Sequence, residues 1–450
     1  MQTRTVDITG ATLIDGTGAK PKPCTTLRIK NGRIAGIWGD GECPRNAGSA
    51  TTTIDAGGNT VMPGLIDAHC HISYGEGRSA EEIDFYGGPE WGALRAVWDA
   101  AKVLRSGVTS ISDPGSTWNV AVAVRDAINS GMFNGPRIFA AGRHICTDGA
   151  FDDFYPSWLS GPVSAQGVLC ATPAEMVSEV RRQTKNRVDL IKVSADSQVQ
   201  EKVPSAGSCF TDDEFRAIVQ IAHQLGRKVA THARFSPTML AAVRAKVDWL
   251  LHATYIRPEN IGFIRDSGIP ICPTLAMNAN IAEWGKELGA DASYVDAKRR
   301  DTEAAAESHR MAYEAGIPIM AGSESGFSVT PFGDWHAHEL TLLVTLVGLS
   351  PMDAIVAATR TNATAFGWDD VGTLEVGRRA DLIVVDGNPL ADIRILSDPK
   401  RIAAVYKDGQ PVERDPPEPS RLRMMHEKSL KLTSTWLHKR PQRDNAQAAE

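Results

Sequence analysis

Eight short apolar or β-branched runs, separated by stretches with helical patterning, recur through the middle of this chain. The runs occupy residues 61–68, 108–113, 137–146, 188–194, 228–234, 249–254, 269–276 and 317–323. The intervening stretches 172–186 and 211–226 begin with a threonine cap signal and early acidic residues, as amphipathic helices do. Eight strands with helical crossovers over roughly 260 residues match the size of a (β/α)8 barrel. We therefore predict an α/β fold built on such a barrel, because the sequence lacks the GxGxxG or Walker-type loop of a nucleotide-binding open sheet.

Short β-patterned segments broken by turns occupy both ends of the chain. Asn31-Gly32 near the start and Asp408-Gly409 near the end are hairpin signals. We predict that the two ends fold together into one small β-sandwich, residues 1–62 plus 367–415, with the barrel, residues 63–366, inserted between them. The Pro-rich and then charged residues 416–450 are predicted to form a tail with a peripheral or intersubunit helix.

Composition gives no indication of several classes of partner. The formal net charge of −6 gives no electrostatic reason to expect nucleic acid or an anionic membrane. No apolar run approaches the length of a membrane span, and the first residues lack a signal-peptide core. Seven scattered cysteines without a CxxC pair fit a reducing compartment. We expect a cytoplasmic homo-oligomer that acts on a small molecule, with the long crossover 280–315 serving as a lid or subunit contact.

Side chains able to bind metal cluster at the predicted C-terminal ends of the strands, where barrel enzymes keep their chemistry. They are His69, His71, Lys192, His232, His252 and Glu324. Taken singly, each has an ordinary explanation: HxH is a common tripeptide, Lys192 could pair with Asp196, and Glu324 could pair with an arginine. Their placement at one end of the same barrel favours a metal site.

The remaining histidines are less informative. His144 lies in the third run and is ambiguous, while His223 and His309 are predicted on helix surfaces. His336 and His338 form a second HxH after the last run, but two residues apart on a helix do not share a face. This second motif is predicted to be structural or to line a substrate pocket.

The motifs PGLIDAHCH, IKV, VATHA, LLHAT, GSESG and LEVGRRADLIVVDGNPL resemble those of the amidohydrolase superfamily. The similarity is to the branch with imidazolonepropionase-like proteins and Xaa-Pro or Xaa-Arg dipeptidases. It implies that His69 and His71 bind a buried metal ion and that His232 and His252 bind a second one. It also implies that Lys192 carries an N6-carboxyl group bridging both ions. Where the family usually has aspartate on the last strand, this chain has glutamate.

The resemblance implies a mechanism as well. Two divalent ions, expected to be zinc, would activate a water for attack on a carbonyl, with Glu324 passing the proton to the leaving nitrogen. Lys192 and Glu324 are therefore the predicted catalytic residues, and the predicted reaction is hydrolysis of a C–N bond in an amide, urea or carbamate. A mononuclear deaminase is disfavoured because Phe235 stands where such enzymes carry a glutamate. A metal-free scaffold protein is the alternative from a different class.

Two departures from the dipeptidases bear on the substrate. The loop that often reads TGGHGD is TDGAFDD here, and HAHG has become HARF. Aromatic loop residues predict a flat, apolar substrate such as an aryl amide, phenylurea or carbamate, with a dipeptide as the alternative. The residues predicted to bind substrate are Phe151, Tyr155, Trp158, Arg234, Tyr255 and Trp284.

Overall fold

The computed structural model of the protein describes residues 5–39, 41–44, 51–414, 435, 437 and 438. Its strands are β1 Thr5–Leu13, β2 Lys22–Lys30, β3 Arg33–Trp38, β4 Thr51–Asp55, β5 Thr60–Pro63, β6 Leu65–Asp67, β7 Val108–Asp113, β8 Arg137–Ala140, β9 His144–Cys146, β10 Gly167–Leu169, β11 Leu190–Ser194, β12 Lys228–Phe235, β13 Trp249–Tyr255, β14 Ile271–Cys272, β15 Leu382–Val385, β16 Ile402–Lys407 and β17 Gln410–Pro411. Its α-helices are α1 Ala80–Asp84, α2 Pro89–Arg105, α3 Val120–Asn129, α4 Pro173–Lys185, α5 Asp212–Gln224, α6 Ser236–Ala245, α7 Ile261–Ser267, α8 Leu275–Trp284, α9 Ala292–Glu314, α10 His338–Leu342, α11 Pro351–Val356 and α12 Asn362–Phe366. Most of the predicted tail helix lies outside the described residues.

The two chain ends share one sheet. Its order is β17-β16-β15-β5-β1-β2-β3, and β4 pairs with β1. β5, from the start of the chain, lies antiparallel to β15, from its end. Ile8, Leu27 and Leu382 pack into a common core on this sheet. The predicted β-sandwich is therefore only partly visible, and its proposed boundaries stay a prediction.

The middle of the chain is an α/β fold of the TIM-barrel type. Its parallel strands pair as a three-stranded sheet, β6-β7-β8, and a six-stranded sheet, β10-β9-β11-β12-β13-β14. The two sheets do not form one closed ladder, although isolated bridges join Ala141 to Leu190 and Ile271 to Ile319. The expected strand at 317–323 is reduced to such bridges, partly because the amide of Ser323 donates to the Asp67 carboxylate instead of to a neighbouring strand.

The predicted helical crossovers are confirmed where their cap signals are strongest. Thr172 and Glu175 form a capping box at the start of α4, and Thr211 and Glu214 form another at α5. The long crossover folds into the end of α8 and the 23-residue α9. Its role as a lid or subunit contact stays a prediction, as do the homo-oligomer and the cytoplasmic location. Among the described residues, no helix combines the length and apolarity needed to cross a membrane.

A layer of large apolar side chains fills the barrel beneath the strand ends. Phe139, Trp249 and Phe366 pack against one another, with ring centroids 5.0 to 6.3 Å apart. Trp249 is fully buried, and Leu251 and Met320 belong to the same cluster. This packing fills the interior beneath the cavity that opens at the C-terminal ends of the strands.

Candidate active site

A cavity of about 340 Å³ lies at the C-terminal ends of β6, β11, β12 and β13. The side chains predicted to bind metal, His69, His71, Lys192, His232, His252 and Glu324, all line it. The barrel therefore brings six residues that span 255 positions of sequence to one place, at the end where enzymes of this architecture work.

His69 and His71 follow β6 and approach each other closely. Their Nε2 atoms lie 3.0 Å apart, and each of the two residues offers one ligand atom that falls within 4.8 Å of one from Glu324. His71 Nδ1 donates to the carbonyl of Gly115 over 2.8 Å, which leaves Nε2 with a free lone pair in the neutral ring. Two imidazole nitrogens turned toward each other and a carboxylate form a donor set suited to a cation.

His232 and His252 form a second pair, with ring centroids 4.3 Å apart. His252 Nδ1 lies 2.6 Å from Thr274 Oγ1, and its carbonyl accepts from His309 Nε2 over 2.6 Å. These contacts hold His252 at a φ of 73°, a left-handed conformation that is uncommon for a residue with a side chain. His309 is thus buried behind the site, and its prediction as a helix-surface residue is wrong.

Glu324 is held in place by its backbone. It also has a left-handed conformation, with φ 56°, and its amide donates to the His69 carbonyl over 2.6 Å. Thr330 Oγ1 donates to the Glu324 carbonyl over 2.8 Å. The carboxylate lies 3.8 Å from His252 Nε2. The side chain of Glu324 therefore enters the cavity from a fixed position.

A buried network anchors the residues on either side of Glu324. Ser323 Oγ bonds both Asp67 and Ser325, and the Asp67 carboxylate also accepts from the amides of His69 and Ser323. His336 Nδ1 lies 2.7 Å from Asp67. The first histidine of the second HxH motif is therefore structural, and it ties the last run of the barrel to the first.

The electrostatics of the pocket favour uncharged nitrogen donors. Burial lowers the pKa of His69, His232 and His252 well below the usual value for histidine. Burial also lowers the pKa of Lys192 to about 8, while it raises the pKa of Glu324 above the ordinary value for glutamate. These three imidazoles would repel one another as cations, so their neutral forms are the ones that fit together here.

The residues present fit a metal centre. His252 Nε2 and His232 Nε2 are buried without a hydrogen-bond partner in the structure, although His232 Nε2 lies 3.4 Å from Asp196. Orphaned buried nitrogens are costly unless something binds them. Imidazole and carboxylate donors in this number are those that zinc prefers.

The cavity also contains a second set of polar side chains, for which the sequence patterns predicted no role. His144 Nδ1 lies 2.8 Å from Asp152, and His144 Nε2 lies 3.2 Å from the hydroxyl of Tyr74. All three side chains line the cavity. His144 within the third predicted run was the available signal, but nothing in the spacing of Tyr74 or Asp152 indicated a partner.

The residues predicted to bind substrate divide into two groups. Phe151 and Arg234 line the cavity, and Phe151 stacks on the ring of His232 at 4.8 Å between centroids. Tyr155, Trp158, Tyr255 and Trp284 do not appear among the described residues that line it. Trp158 is 87% exposed, and Tyr155 donates to Asp84 behind the pocket.

A charged cluster forms the wall beside Phe151. Arg234 bonds Glu201 and lies 2.8 Å from Asp301, which also accepts from Tyr255 and Lys298. Lys298 and Arg234 face the cavity. The arginine that replaces the family's second histidine is therefore paired with carboxylates, and Tyr255 helps to hold its partner.

Comparisons with known proteins agree with this geometry. The sequence profile of the amidohydrolase family matches residues 60–412. Ochratoxinase of Aspergillus niger is 27% identical over 420 residues, which cover 88% of this chain and 84% of that protein. Imidazolonepropionase of Halobacterium salinarum is 26% identical over 413 residues, covering 81% of this chain and 85% of that protein. The solved structure of a Xaa-Pro dipeptidase with bound methionine superposes with a TM-score of 0.79 at 29% identity, covering 91% of this chain and 100% of the other. The chain belongs to the amidohydrolase family and is a hydrolase.

Proposed function

We propose that this protein is a binuclear metal-dependent hydrolase that cleaves a C–N bond in an amide, urea or carbamate of a small aromatic molecule. The observation that carries the proposal is the convergence of four buried imidazoles, Lys192 and Glu324 on one cavity. Family membership supports hydrolysis as the reaction type.

The ligand set divides between two ions. His69, His71 and Glu324 lie close enough to hold one ion, and His232 and His252 are paired in a position to hold a second. Lys192, which is 1% exposed and lines the same cavity, would bridge the two as its N6-carboxylate. Two zinc ions bound here would supply a Lewis acid for the substrate carbonyl and an activated water.

Glu324 is the proposed proton shuttle. Its backbone is fixed on both sides and its side chain remains 15% exposed toward the cavity, so the carboxylate can reach a water and then a leaving nitrogen. A general base needs this reach and a suitable pKa, and the extra methylene relative to aspartate does not remove either. Desolvation that raises the pKa of Glu324 also makes the carboxylate a stronger base.

The walls of the cavity indicate the substrate class. Phe151, Phe154, Phe327, Ile83 and Met277 provide apolar lining next to the metal residues. A volume of about 340 Å³ suits a small molecule better than a long peptide. An aryl amide, phenylurea or carbamate therefore fits best. A dipeptide is the second candidate, favoured by the likeness to a Xaa-Pro dipeptidase.

The test combines metal content with a substrate panel. Protein purified without chelator is analysed for metals per chain and then assayed with anilides, phenylureas, carbamates and dipeptides. We expect two zinc-like ions per chain and turnover of aryl substrates. Lys192→Met should lose both this two-ion metal content and the turnover. Met132→Ala, a change at an exposed side chain outside the cavity, is the control and should keep both. Fewer than two ions, or turnover of dipeptides alone, would contradict the proposal.

A further inference from the structure

A continuous line of hydrogen bonds runs along one wall of the cavity beside the metal-binding residues. It passes from Asp152 to His144 over 2.8 Å and from His144 to Tyr74 over 3.2 Å. Tyr74 is 2% exposed and His144 is 5% exposed. The mechanism proposed above uses none of these side chains, and yet all three line the cavity.

The surrounding structure is shaped to hold this line. The ring of Tyr74 stacks on His71, with centroids 4.2 Å apart and an angle of 3° between the planes. A Cβ on Gly115 would lie 1.6 Å from His144 Nε2, so glycine at this position makes room for the imidazole. The same glycine accepts from His71 Nδ1 through its carbonyl. Tyr74 and His144 are thus placed against a metal-binding histidine by specific contacts.

The hydrogen bonds have a defined direction. The Asp152 carboxylate can only accept, so Nδ1 of His144 carries a proton. In the neutral imidazole Nε2 is then an acceptor, and it takes the O–H of Tyr74. With its proton committed to His144, the phenol oxygen has only lone pairs to offer to a molecule in the cavity.

We propose that the oxygen of Tyr74 accepts a hydrogen bond from an N–H of the substrate and thereby selects secondary amides and N–H ureas over their N-alkylated analogues. His144 and Asp152 act as positioning residues that keep Tyr74 in the accepting orientation. The inference rests on the proposed function, because it narrows the substrate class of that same site. It also separates the preferred substrate from a Xaa-Pro peptide, whose amide nitrogen carries no hydrogen.

Turnover of a matched substrate pair gives the first test. An anilide and its N-methyl derivative are compared in the wild-type zinc enzyme, Tyr74→Phe and Asp152→Asn. The kcat/KM for the anilide divided by that for its N-methyl derivative should fall about tenfold in Tyr74→Phe, which is the effect of one lost neutral hydrogen bond. Asp152→Asn should lower it too, because the Nδ2–H of asparagine can donate to Nδ1, which the carboxylate cannot do; the proton then moves to Nε2, and Tyr74 becomes an acceptor from His144. The two substrates differ in intrinsic reactivity, but this difference is the same in every variant and cancels when the ratios are compared. An unchanged ratio in Tyr74→Phe would overturn the inference.

Two further readouts do not depend on turnover. Nitrogen-15 NMR of the histidine side chains should find His144 protonated at Nδ1 alone in the wild type and at Nε2 in Asp152→Asn. Calorimetry with Glu324→Gln protein should show that adding Tyr74→Phe weakens binding of the anilide about tenfold and leaves the N-methyl derivative unchanged. A His144 protonated at both nitrogens, or equal losses for both ligands, would refute the inference. If the wild type turned over neither substrate but still bound the anilide in preference to its N-methyl derivative, the proposed function would be refuted and the role of Tyr74 would stand.

Discussion

The hydroxyl of Thr274 sets the tautomer of a predicted metal ligand. Thr274 Oγ1 lies 2.6 Å from His252 Nδ1 and 2.7 Å from the carbonyl of Pro273. The hydroxyl has one proton, which goes to the carbonyl, so it accepts the Nδ1 proton and leaves Nε2 bare toward the cavity. Thr274→Val keeps the shape of the side chain and removes this acceptor.

The expected loss of zinc affinity and of stability in Thr274→Val can be estimated from this contact. Partners of this kind, behind a metal-binding histidine, affect metal affinity by about 10- to 100-fold, which is about 1.4 to 2.7 kcal/mol. A buried Nδ1–H left without an acceptor costs a further ~1–3 kcal/mol of unfolding free energy in the metal-free protein. Thr274 is 1% exposed, so water cannot replace the hydroxyl without rearrangement.

Thr274→Ser is the matched control. Serine keeps the hydroxyl, and the φ of 54° at this position suits serine better than a β-branched residue. We expect Thr274→Ser to bind zinc and unfold like the wild type. Zinc affinity is measured by competition with a chelator of known affinity, and stability by denaturant unfolding of the metal-free protein. Equal zinc affinities for the valine and serine variants would refute the reasoning.

Three other perturbations have defined outcomes. Gly115→Ala places a Cβ 1.6 Å from His144 Nε2, so it should displace that ring and lower kcat/KM in an activity assay, while Gly92→Ala, whose Cβ would meet Val120 at 3.5 Å, should not. Glu324→Gln should lower kcat by two to four orders of magnitude, roughly the contribution of a general base, while Glu324→Asp retains part of it in steady-state kinetics at saturating substrate. Burial raises the pKa of Asp84 to about 6, so the folded protein keeps a proton that the unfolded chain loses above about pH 4. Stability therefore falls as pH rises from about 4 to 6, by up to about 3 kcal/mol, and Asp84→Asn should remove this loss in unfolding titrations at pH 4.5 and 7.5. If the stability of the wild type and that of Asp84→Asn changed with pH in the same way, the prediction for Asp84 would be contradicted.

Local sequence patterns predicted most of the strands and helices of the fold. The alternation of apolar runs located β7, β12 and β13 within a residue or so, and the cap signals located α4 and α5, because these features depend on neighbours along the chain. The last run, 317–323, did not become a regular strand. Its amides bond side chains such as Asp67 and Asn362, which come from distant parts of the sequence.

The histidines on the strands were also predictable, since strand ends converge in a barrel. Their supporting contacts were not. His309 reaches His252 across 57 positions, and Tyr74 reaches His144 across 70. Neither contact follows from a periodicity or a motif. Four of the six side chains predicted to bind substrate lie elsewhere for the same reason, because loop residues take their direction from tertiary packing.

Leu437, close to the end of the chain, is part of the outer wall of the site. Its amide donates to Ser328, its carbonyl accepts from Trp335, and its side chain packs in one cluster with Phe327, which lines the cavity. Changes at Leu437, more than 100 positions beyond Glu324, can therefore alter the shape of the pocket without replacing any residue that lines it. Substitutions at Leu437 are therefore a way to alter selectivity from outside the cavity.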